Sequence, residues 1–305
     1  MSGLFKEWHW EITRRCNLHC QHCLTRCGHP AHSELQTPAA VKAIGSMAEL
    51  GCTSLMITGG EPLMRSDLFV LLESGFSRGI SLGLLTNGFL VDEQAAKRFS
   101  AYTKTVGVSL DGASAKTHDA LRGQQSFQFA CRAIKLLTAS QSMAVYITVS
   151  ALNIDEIHCI VDIALELGAS RIHVSEITIG GRAKDNSSHL GLKPKQKELL
   201  RQIAQTMTGA GRSINGCCNA DLASVYLSAE GLVYPCSEVG VQRPSQNLGQ
   251  ITQEGSGSRL LQTAQTWRTP AEAPCCYEIW VGERIAFYLN AGDGCTFVNR
   301  ERRQP

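Results

Sequence analysis

The sequence predicts an α/β fold built on a parallel sheet, and three observations support this. Short strand-like runs alternate with helical patterns from residue 8 to about residue 208. The helical patterns have recognisable ends, such as Thr37-Pro38 before the first of them and Gly51 after it. Hydrophobic residues make up 43% of the 305 residues, which is enough for a large core and excludes wholesale disorder. Strands that alternate with helices form parallel sheets with right-handed crossovers, so an open sheet and a partial barrel both fit.

The strands and helices follow one another in a regular order. Strands are predicted at residues 8–13, 54–58, 81–86, 105–109, 144–150 and 171–176. The best-defined helices are predicted at residues 37–50, 155–167 and 193–207. Six strand–helix units are too few to close an eight-stranded barrel.

The pattern changes after residue 208. Valine, leucine and tyrosine residues flank a Ser-Ala-Glu-Gly turn at residues 228–231, which predicts a β-hairpin. Residues 242–258 are rich in Gln, Gly and Ser and are predicted to form a loop, followed by a short helix near 259–267. We therefore expect one domain at residues 1–208 and a smaller, cysteine-rich one at residues 209–305.

The charge and the ends of the chain bear on partners and location. Lys and Arg total 29 and Asp and Glu total 27, giving a net charge of +2. This balance gives no electrostatic reason to expect a nucleic acid or an anionic membrane as a partner. The N-terminus lacks the apolar core of a signal peptide, and no uninterrupted apolar run reaches about 18 residues. We expect a cytoplasmic protein.

The thirteen cysteines are unevenly spaced. Four lie within residues 16–27 and six within residues 217–295, whereas Cys52, Cys131 and Cys159 are isolated in apolar contexts. The isolated three are expected to be small core residues. In a reducing compartment, clustered cysteines indicate metal binding more often than disulfides.

The first cluster has the spacing C-x3-C-x2-C, formed by Cys16, Cys20 and Cys23 directly after the first predicted strand. Loops at the carboxyl ends of parallel strands carry the active sites of α/β proteins. Three thiolates do not complete a four-ligand zinc site, although a fourth ligand is available nearby from His19, His22 or Cys27. An iron–sulfur cluster is the alternative, and three ligands for four irons would leave one iron open.

The cysteine triplet, together with Gly59-Gly60-Glu61-Pro62 after the second strand, resembles the radical S-adenosylmethionine (SAM) superfamily. The resemblance covers residues 8–183 and implies a partial (β/α)6 TIM-type barrel. It also implies a [4Fe–4S] cluster on the three cysteines, with SAM bound at the open iron. An electron, supplied by a flavodoxin- or ferredoxin-type donor, would cleave SAM to a 5′-deoxyadenosyl radical that abstracts hydrogen from a substrate carbon.

The same resemblance implies which residues bind SAM. Glycines permit close backbone approach, and a carboxylate complements the methionine ammonium group. Leu-Thr-Asn-Gly at residues 85–88 and Ser-Leu-Asp-Gly at residues 109–112 are also similar to family motifs, as is Leu-Arg-Gly at residues 121–123. Taken alone, these could be a turn, a helix cap and a solvated charge. The implied SAM-binding residues are Gly59, Gly60, Glu61, Pro62, Asn87, Ser109 and Arg122.

The distal cysteines resemble the SPASM and twitch extensions of radical SAM enzymes. The spacing of Cys218, Gly231 and Cys236 is similar to the opening of these extensions, in which a hairpin holds an auxiliary iron–sulfur cluster. Besides Cys218, five cysteines lie within residues 217–295. They are too few to provide the ligands of two further clusters, which favours one auxiliary [4Fe–4S] cluster. The implied ligands are Cys218, Cys236, Cys276 and Cys295. A zinc ribbon or buried thiols are alternatives, and the assignment within each adjacent pair stays open.

The two remaining distal thiols have a chemical use. A weak S–H bond can return hydrogen to a substrate radical, so Cys217 and Cys275 are candidate hydrogen donors for an epimerisation. The resemblance implies a natural-product maturase that modifies a ribosomally made peptide by epimerisation, a thioether bridge or a carbon–carbon crosslink. The alternatives are a sugar or aminocyclitol epimerase or dehydrogenase, and an activase of a partner enzyme. With Cys16 so near the start, we expect any leader-peptide recognition to come from a separate protein.

Overall fold

The computed structural model describes residues 5–31, 33–208, 224–235, 240, 244–253, 255–266 and 286–290. Its ten strands form a single sheet with the order β10-β6-β5-β4-β3-β2-β1-β7-β8-β9. In chain order they are β1 (Glu7–Glu11), β2 (Ser54–Thr58), β3 (Ser81–Thr86), β4 (Thr105–Ser109), β5 (Met143–Val149), β6 (Arg171–Glu176), β7 (Ser224–Leu227), β8 (Leu232–Tyr234), β9 (Gly249–Gln250) and β10 (Ala286–Asn290).

Ten helices belong to the described residues. They are α1 (Thr37–Glu49), α2 (Leu68–Phe76), α3 (Glu93–Tyr102), α4 (Ala115–Arg122), α5 (Ser126–Thr138), α6 (Ile157–Glu166), α7 (Gly181–Asp185), α8 (Ser187–Leu190), α9 (Pro194–Thr208) and α10 (Ser256–Thr266). Short 3-10 turns occupy Pro62–Met64 and Ile154–Glu156. No described helix is both long enough and apolar enough to cross a membrane.

The first six strands are parallel and adjacent in chain order, and helices connect them. This arrangement confirms the predicted partial (β/α)6 barrel. Strand β7 pairs in parallel with β1, and β8 and β9 follow antiparallel, so the predicted hairpin is present at one edge. Strand β10 pairs antiparallel with β6 at the other edge. The sequence did not predict β9 or β10, and the division at residue 208 stays a prediction.

The two faces of the strands differ in chemistry. Along β1, Trp8 and Trp10 are fully buried and belong to the core that the helices cover. The alternate residues His9 and Glu11 line a cavity on the opposite, concave face. Side chains alternate between the two faces of a strand, so the polar residues of one strand collect on one side. The concave side of the partial barrel is therefore a polar surface rather than a packed core.

The isolated cysteines are not all core residues. Cys52 is buried as predicted, and Cys131 is partly buried against the core. Cys159 is exposed, so the prediction that it is a core residue is wrong. The buried stripe of α6 runs through Ile157, Ile160 and Val161, and Cys159 lies off that stripe.

Candidate active site

A cavity of about 380 Å³ lies on the concave side of the sheet, at the carboxyl ends of the parallel strands. Its lining includes all three cysteines of the first cluster, together with residues that follow β2, β3 and β4. The predicted site residues found in the lining are Cys16, Cys20, Cys23, Gly59, Gly60, Asn87, Ser109 and Arg122. The topology thus brings together residues from four separate strand ends.

Backbone groups of the cysteine loop stabilise two of the sulfur atoms. The backbone N–H of Leu18 donates to Cys16 Sγ at 3.4 Å, and that of Cys27 donates to Cys23 Sγ at 3.4 Å. Hydrogen bonds to the charged form of a group favour that form. These two donors therefore favour thiolates, the form in which cysteine binds metal.

The three thiols differ in how readily they ionise. Hydrogen bonding from Cys27 holds the pKa of Cys23 well below its usual value, and the charge of Arg182 acts in the same direction. Burial raises the pKa of Cys20 to about 11, against the opposing charge of Arg122. Burial also raises the pKa of Cys16. Bound iron would supply positive charge that favours the thiolate forms of Cys16 and Cys20.

The donor set fits a cluster better than a single ion. Within the described residues, no three Cys, His, Asp or Glu side chains converge closely enough to hold one metal ion. The thiol of Cys27 contacts Thr25 and Glu11, and His22 pairs with Asp111. A cubane cluster binds each thiolate through a different iron, so its ligands line a space instead of meeting at a point. The arrangement therefore favours the iron–sulfur alternative over zinc.

The glycines after β2 pack directly on the cysteine loop. The backbone N–H of Gly60 donates to Thr13 O at 2.7 Å, and that of Glu61 donates to Arg15 O at 2.8 Å. A Cβ atom on Gly60 would lie 2.1 Å from Arg15 O and 2.9 Å from Cys16 Cβ. Only glycine fits this approach, so the second motif helps to set the position of the first ligand.

Glu61 is fully buried and does not belong to the cavity lining, and Pro62 is also absent from it. The Glu61 carboxylate accepts hydrogen bonds from Thr86 Oγ1 at 2.8 Å, from the Asn87 backbone at 2.8 Å and from the Leu63 backbone at 3.2 Å. In this arrangement Glu61 ties the loop after β2 to the loop after β3. Burial raises its pKa, and these three hydrogen bonds oppose the rise.

Asp111 organises the far side of the cavity. It is fully buried, and its Oδ2 atom lies 2.5 Å from Arg122 Nε and 3.1 Å from His22 Nε2. Its Oδ1 atom accepts the Thr148 backbone N–H at 2.7 Å. Burial alone would raise the pKa of Asp111, but Arg122 and His22 hold it well below the usual range. Asp111 thereby orients the guanidinium of Arg122, which lines the cavity.

Sequence reasoning missed a second polar group beside the cysteines. Glu11 Oε2 accepts the hydroxyl of Tyr226 at 2.6 Å, and Glu11 Oε1 accepts the thiol of Cys27 at 3.3 Å. Glu11 and Tyr226 also line a second cavity of about 740 Å³, which the loop after β6 and the β7–β8 hairpin complete. The only signal in the sequence was that Glu11 follows His9 at the alternate position of the first strand, so both lie on the same face.

The predicted auxiliary ligands and hydrogen donors lie outside the described residues; they are Cys217, Cys218, Cys236, Cys275, Cys276 and Cys295. Their assignment stays a prediction.

Comparisons with known proteins agree with this geometry. The family model for the radical SAM superfamily matches residues 10–167. The chain is 36% identical over 268 residues to an AdoMet-dependent heme synthase of Methanosarcina barkeri, covering 76% of each chain. It is 32% identical over 194 residues to the mycofactocin maturase MftC of Mycolicibacterium smegmatis, and it spans about half (49%) of that protein.

The fold is also shared with solved structures. The structure of Streptococcus suis SuiB bound to its precursor peptide SuiA superposes with a TM-score of 0.69 at 15% identity, covering 88% of this chain and 68% of that one. At this identity the likeness shows the fold, including antiparallel strands after the partial barrel. Together with the family match over more than half of the sequence, these findings establish that the chain belongs to the radical SAM superfamily.

Proposed function

We propose that Cys16, Cys20 and Cys23 hold a [4Fe–4S] cluster and that SAM binds beside it in the first cavity. The observation that carries this proposal is the shared lining, because the three thiols face the same space as the motif residues of β2, β3 and β4. The bound cluster would supply the electron that cleaves SAM reductively.

The residues around the cavity have separate tasks in this proposal. Gly59 and Gly60 offer backbone atoms at close range to the methionine part of SAM. Arg122 presents a guanidinium, which pairs well with a carboxylate, and Asp111 fixes its orientation. The carboxylate of Glu61 is already engaged by three donors, so it acts by holding the loops in register.

The cluster proposal is tested by anaerobic reconstitution with iron and sulfide. The triple Cys→Ala variant at residues 16, 20 and 23 should lose about four irons and all reductive formation of 5′-deoxyadenosine. Cys159→Ala is the matched control, because this cysteine is exposed on α6 and remote in sequence from the motif. Full iron binding and SAM cleavage by the triple variant would refute the proposal.

An auxiliary [4Fe–4S] cluster on Cys218, Cys236, Cys276 and Cys295 is the second part of the proposal. The antiparallel pairing of β7 with β8 supports it, because Cys218 precedes β7 and Cys236 follows β8 by two residues. The hairpin brings the start of β7 and the end of β8 to the same side. Iron near eight per chain, falling to near four in Cys218→Ala/Cys236→Ala, is the expected result. Iron near four in the intact, fully reconstituted protein would contradict the second site.

We propose a ribosomally made peptide as the substrate. The similarity to a mycofactocin maturase and the fold shared with a peptide-bound enzyme support this class. The second cavity also supports it, since a volume of about 740 Å³ beside the first cavity leaves room for a substrate segment. A flavodoxin- or ferredoxin-type protein would deliver the electron, and a separate protein could bind a leader peptide.

A tetrapyrrole is the second candidate substrate. The relative from Methanosarcina barkeri is named a heme synthase. Its match covers 76% of this chain, whereas the match to the maturase covers 63%. The two candidates are separated by incubating the reconstituted enzyme with SAM and reductant in the presence of a candidate precursor peptide or an iron tetrapyrrole. A substrate-dependent mass change together with increased 5′-deoxyadenosine identifies the class. A response to the tetrapyrrole alone would refute the peptide proposal.

The reaction outcome is tested in deuterated water. If Cys217 or Cys275 returns hydrogen to a substrate radical, one solvent deuteron should appear at an inverted carbon. Replacing the true donor by Ala should leave 5′-deoxyadenosine formation intact and abolish the inversion. A product two mass units lighter that contains no deuterium would mean crosslinking or oxidation, and it would remove the donor role from both cysteines.

A further inference from the structure

Arg182 makes an unusual set of contacts with the cysteine loop. It lies in α7, and only 8% of the residue is exposed. Its Nε atom donates to Cys20 O at 2.8 Å, its Nη1 atom donates to Cys27 O at 2.7 Å, and its backbone N–H donates to Cys23 O at 2.9 Å. Arg182 thus binds three backbone carbonyls of the loop. Two of them belong to the predicted ligands Cys20 and Cys23, and the third belongs to Cys27.

Among the described residues, no carboxylate balances the charge of Arg182. Other arginines around the site have acidic partners, such as Arg122 with Asp111 and Arg26 with Asp185. Arg182 forms no ion pair with any carboxylate among the described residues, although its side chain lines the first cavity. A buried charge is costly unless it is paired and hydrogen-bonded. The carbonyl contacts satisfy hydrogen bonds of the Arg182 guanidinium, but a carbonyl group carries no net negative charge to compensate it.

The cavity itself indicates where the counter-charge lies. Three thiolates give a bound cluster a net negative charge, which increases by one unit on one-electron reduction. Arg182 donates hydrogen bonds to the carbonyls of Cys20 and Cys23, so its charge lies beside two of the three ligand positions. A fixed positive charge at this place would stabilise the reduced form of the cluster more than the oxidised form.

We propose that Arg182 is a positioning residue that supplies the buried counter-charge of the cluster and makes its reduction easier. This inference rests on the proposed cluster at Cys16, Cys20 and Cys23. A SAM carboxylate is the other anion that could meet Arg182. The guanidinium bonds to carbonyls of the ligand loop itself, which favours the cluster.

Arg26 provides a matched control. It belongs to the same loop and pairs with Asp185 at the end of the same helix, but both side chains are half exposed. Its charge is neutralised and screened by solvent, so its removal should not affect the cluster.

The experiment compares wild type, Arg182→Gln, Arg182→Lys and Arg26→Gln as reconstituted full chains. Redox titration is followed by electron paramagnetic resonance, and the N-terminal cluster is identified by the change in its signal when SAM is added. At a fixed solution potential, the ratio of reduced to oxidised cluster should fall about tenfold in Arg182→Gln, which corresponds to about 59 mV for one electron. Arg182→Lys should stay within about threefold of wild type, and Arg26→Gln should be unchanged.

Two results would overturn the assignment. One is an unchanged ratio in Arg182→Gln; if SAM affinity falls at the same time, the partner of Arg182 is SAM. The other arises if Arg182→Gln binds no iron. In that case the iron content of Arg182→Lys separates a need for positive charge from a need for the guanidinium hydrogen bonds. Retention of the cluster by the lysine variant supports a need for charge, whereas loss in both variants shows that only the guanidinium hydrogen bonds matter. Failure of wild type to bind the N-terminal cluster would instead refute the proposed function.

Discussion

Replacing Asp111 by asparagine tests how the site is held together before any cofactor binds. Asp111 is fully buried and receives three partners, Arg122 and His22 at one oxygen and the Thr148 backbone at the other. Asparagine has almost the same shape but only one acceptor oxygen. If that oxygen keeps the bond from Thr148, the amide nitrogen faces two donors, and the charge of Arg122 loses its counter-ion.

The expected cost follows from that geometry. Removing one partner of a buried ion pair typically destabilises a protein by about 3–5 kcal/mol, because the other charge stays buried without compensation. Only 11% of the Arg122 side chain is exposed and none of Asp111. Solvent therefore offers little screening, and we expect Asp111→Asn to fall within this range. SAM affinity should fall as well, since Arg122 is no longer oriented.

Urea unfolding of the metal-free protein, measured across pH, provides the assay. The pKa of Asp111 is held below its usual value, so its contribution to stability is fully present above the ordinary aspartate pKa of about 3.9. The contribution is lost as the pH falls from there toward the lowered pKa. The difference between wild type and Asp111→Asn should thus be smaller below about pH 4 than it is at pH 8.

Asp185→Asn is the control, because it removes the same kind of partner from the exposed Arg26 and should change stability little. Equal effects of the two substitutions would refute the reasoning. So would an Asp111→Asn difference that grows on acidification, because that would assign the cost to a group other than this carboxylate.

Two further predictions concern the loops around the cysteines. Gly60→Ala should destabilise the protein by about 1–3 kcal/mol and reduce iron loading, because the new Cβ would overlap Arg15 O. Gly45→Ala is the control, because its new Cβ would meet only one atom, Arg78 Nε, at 4.0 Å. Equal iron content in the two variants would contradict this prediction. Tyr226→Phe should cost about 1.5–3 kcal/mol in urea unfolding at pH 8 by removing the donor to Glu11. Burial raises the pKa of Glu11, so ionised Glu11 destabilises the folded state only as the pH rises above the ordinary carboxyl pKa. The loss of stability in Tyr226→Phe should therefore be smaller near pH 5 than at pH 8. A loss that is the same at both pH values would exclude Glu11 as the cause.

The sequence was sufficient for the parallel sheet, because each strand and helix carries its own periodicity and end signals. It was not sufficient for contacts that depend on distant segments. Thr37 has the composition of a helix cap, but the helix is preceded by Gln36, and the Thr37 hydroxyl instead donates to Asp67 at 2.6 Å. Strand β10 was missed because its partner in the sheet, β6, lies more than one hundred residues earlier.

The site shows the same limit. The spacing of the cysteines and the glycine motif predicted residues that do share one cavity, since parallel strand ends lie along one edge. The burial of Glu61 was not predictable, because it depends on Thr86 and Asn87 from another strand. Glu11 also appeared ordinary in sequence, and only its pairing with Tyr226 from a remote strand shows that it belongs to the site.

The close approach of two glycines to the cysteine loop has a consequence for how the protein can evolve. Gly60 presses against Arg15 and Cys16 from one direction, and a Cβ on Gly181 would lie 2.4 Å from Cys23 O and closer still to Leu24 O. The segment between them is held by backbone at Arg15–Cys16 and at Cys23–Leu24, so a change in its length would shift the cysteines relative to one of these contacts. Insertions and deletions should therefore be purged from residues 15–24 while being tolerated in residues 244–248 beyond the hairpin. A random insertion library selected for SAM cleavage would show this as a gap in recovered insertions over the cysteine loop.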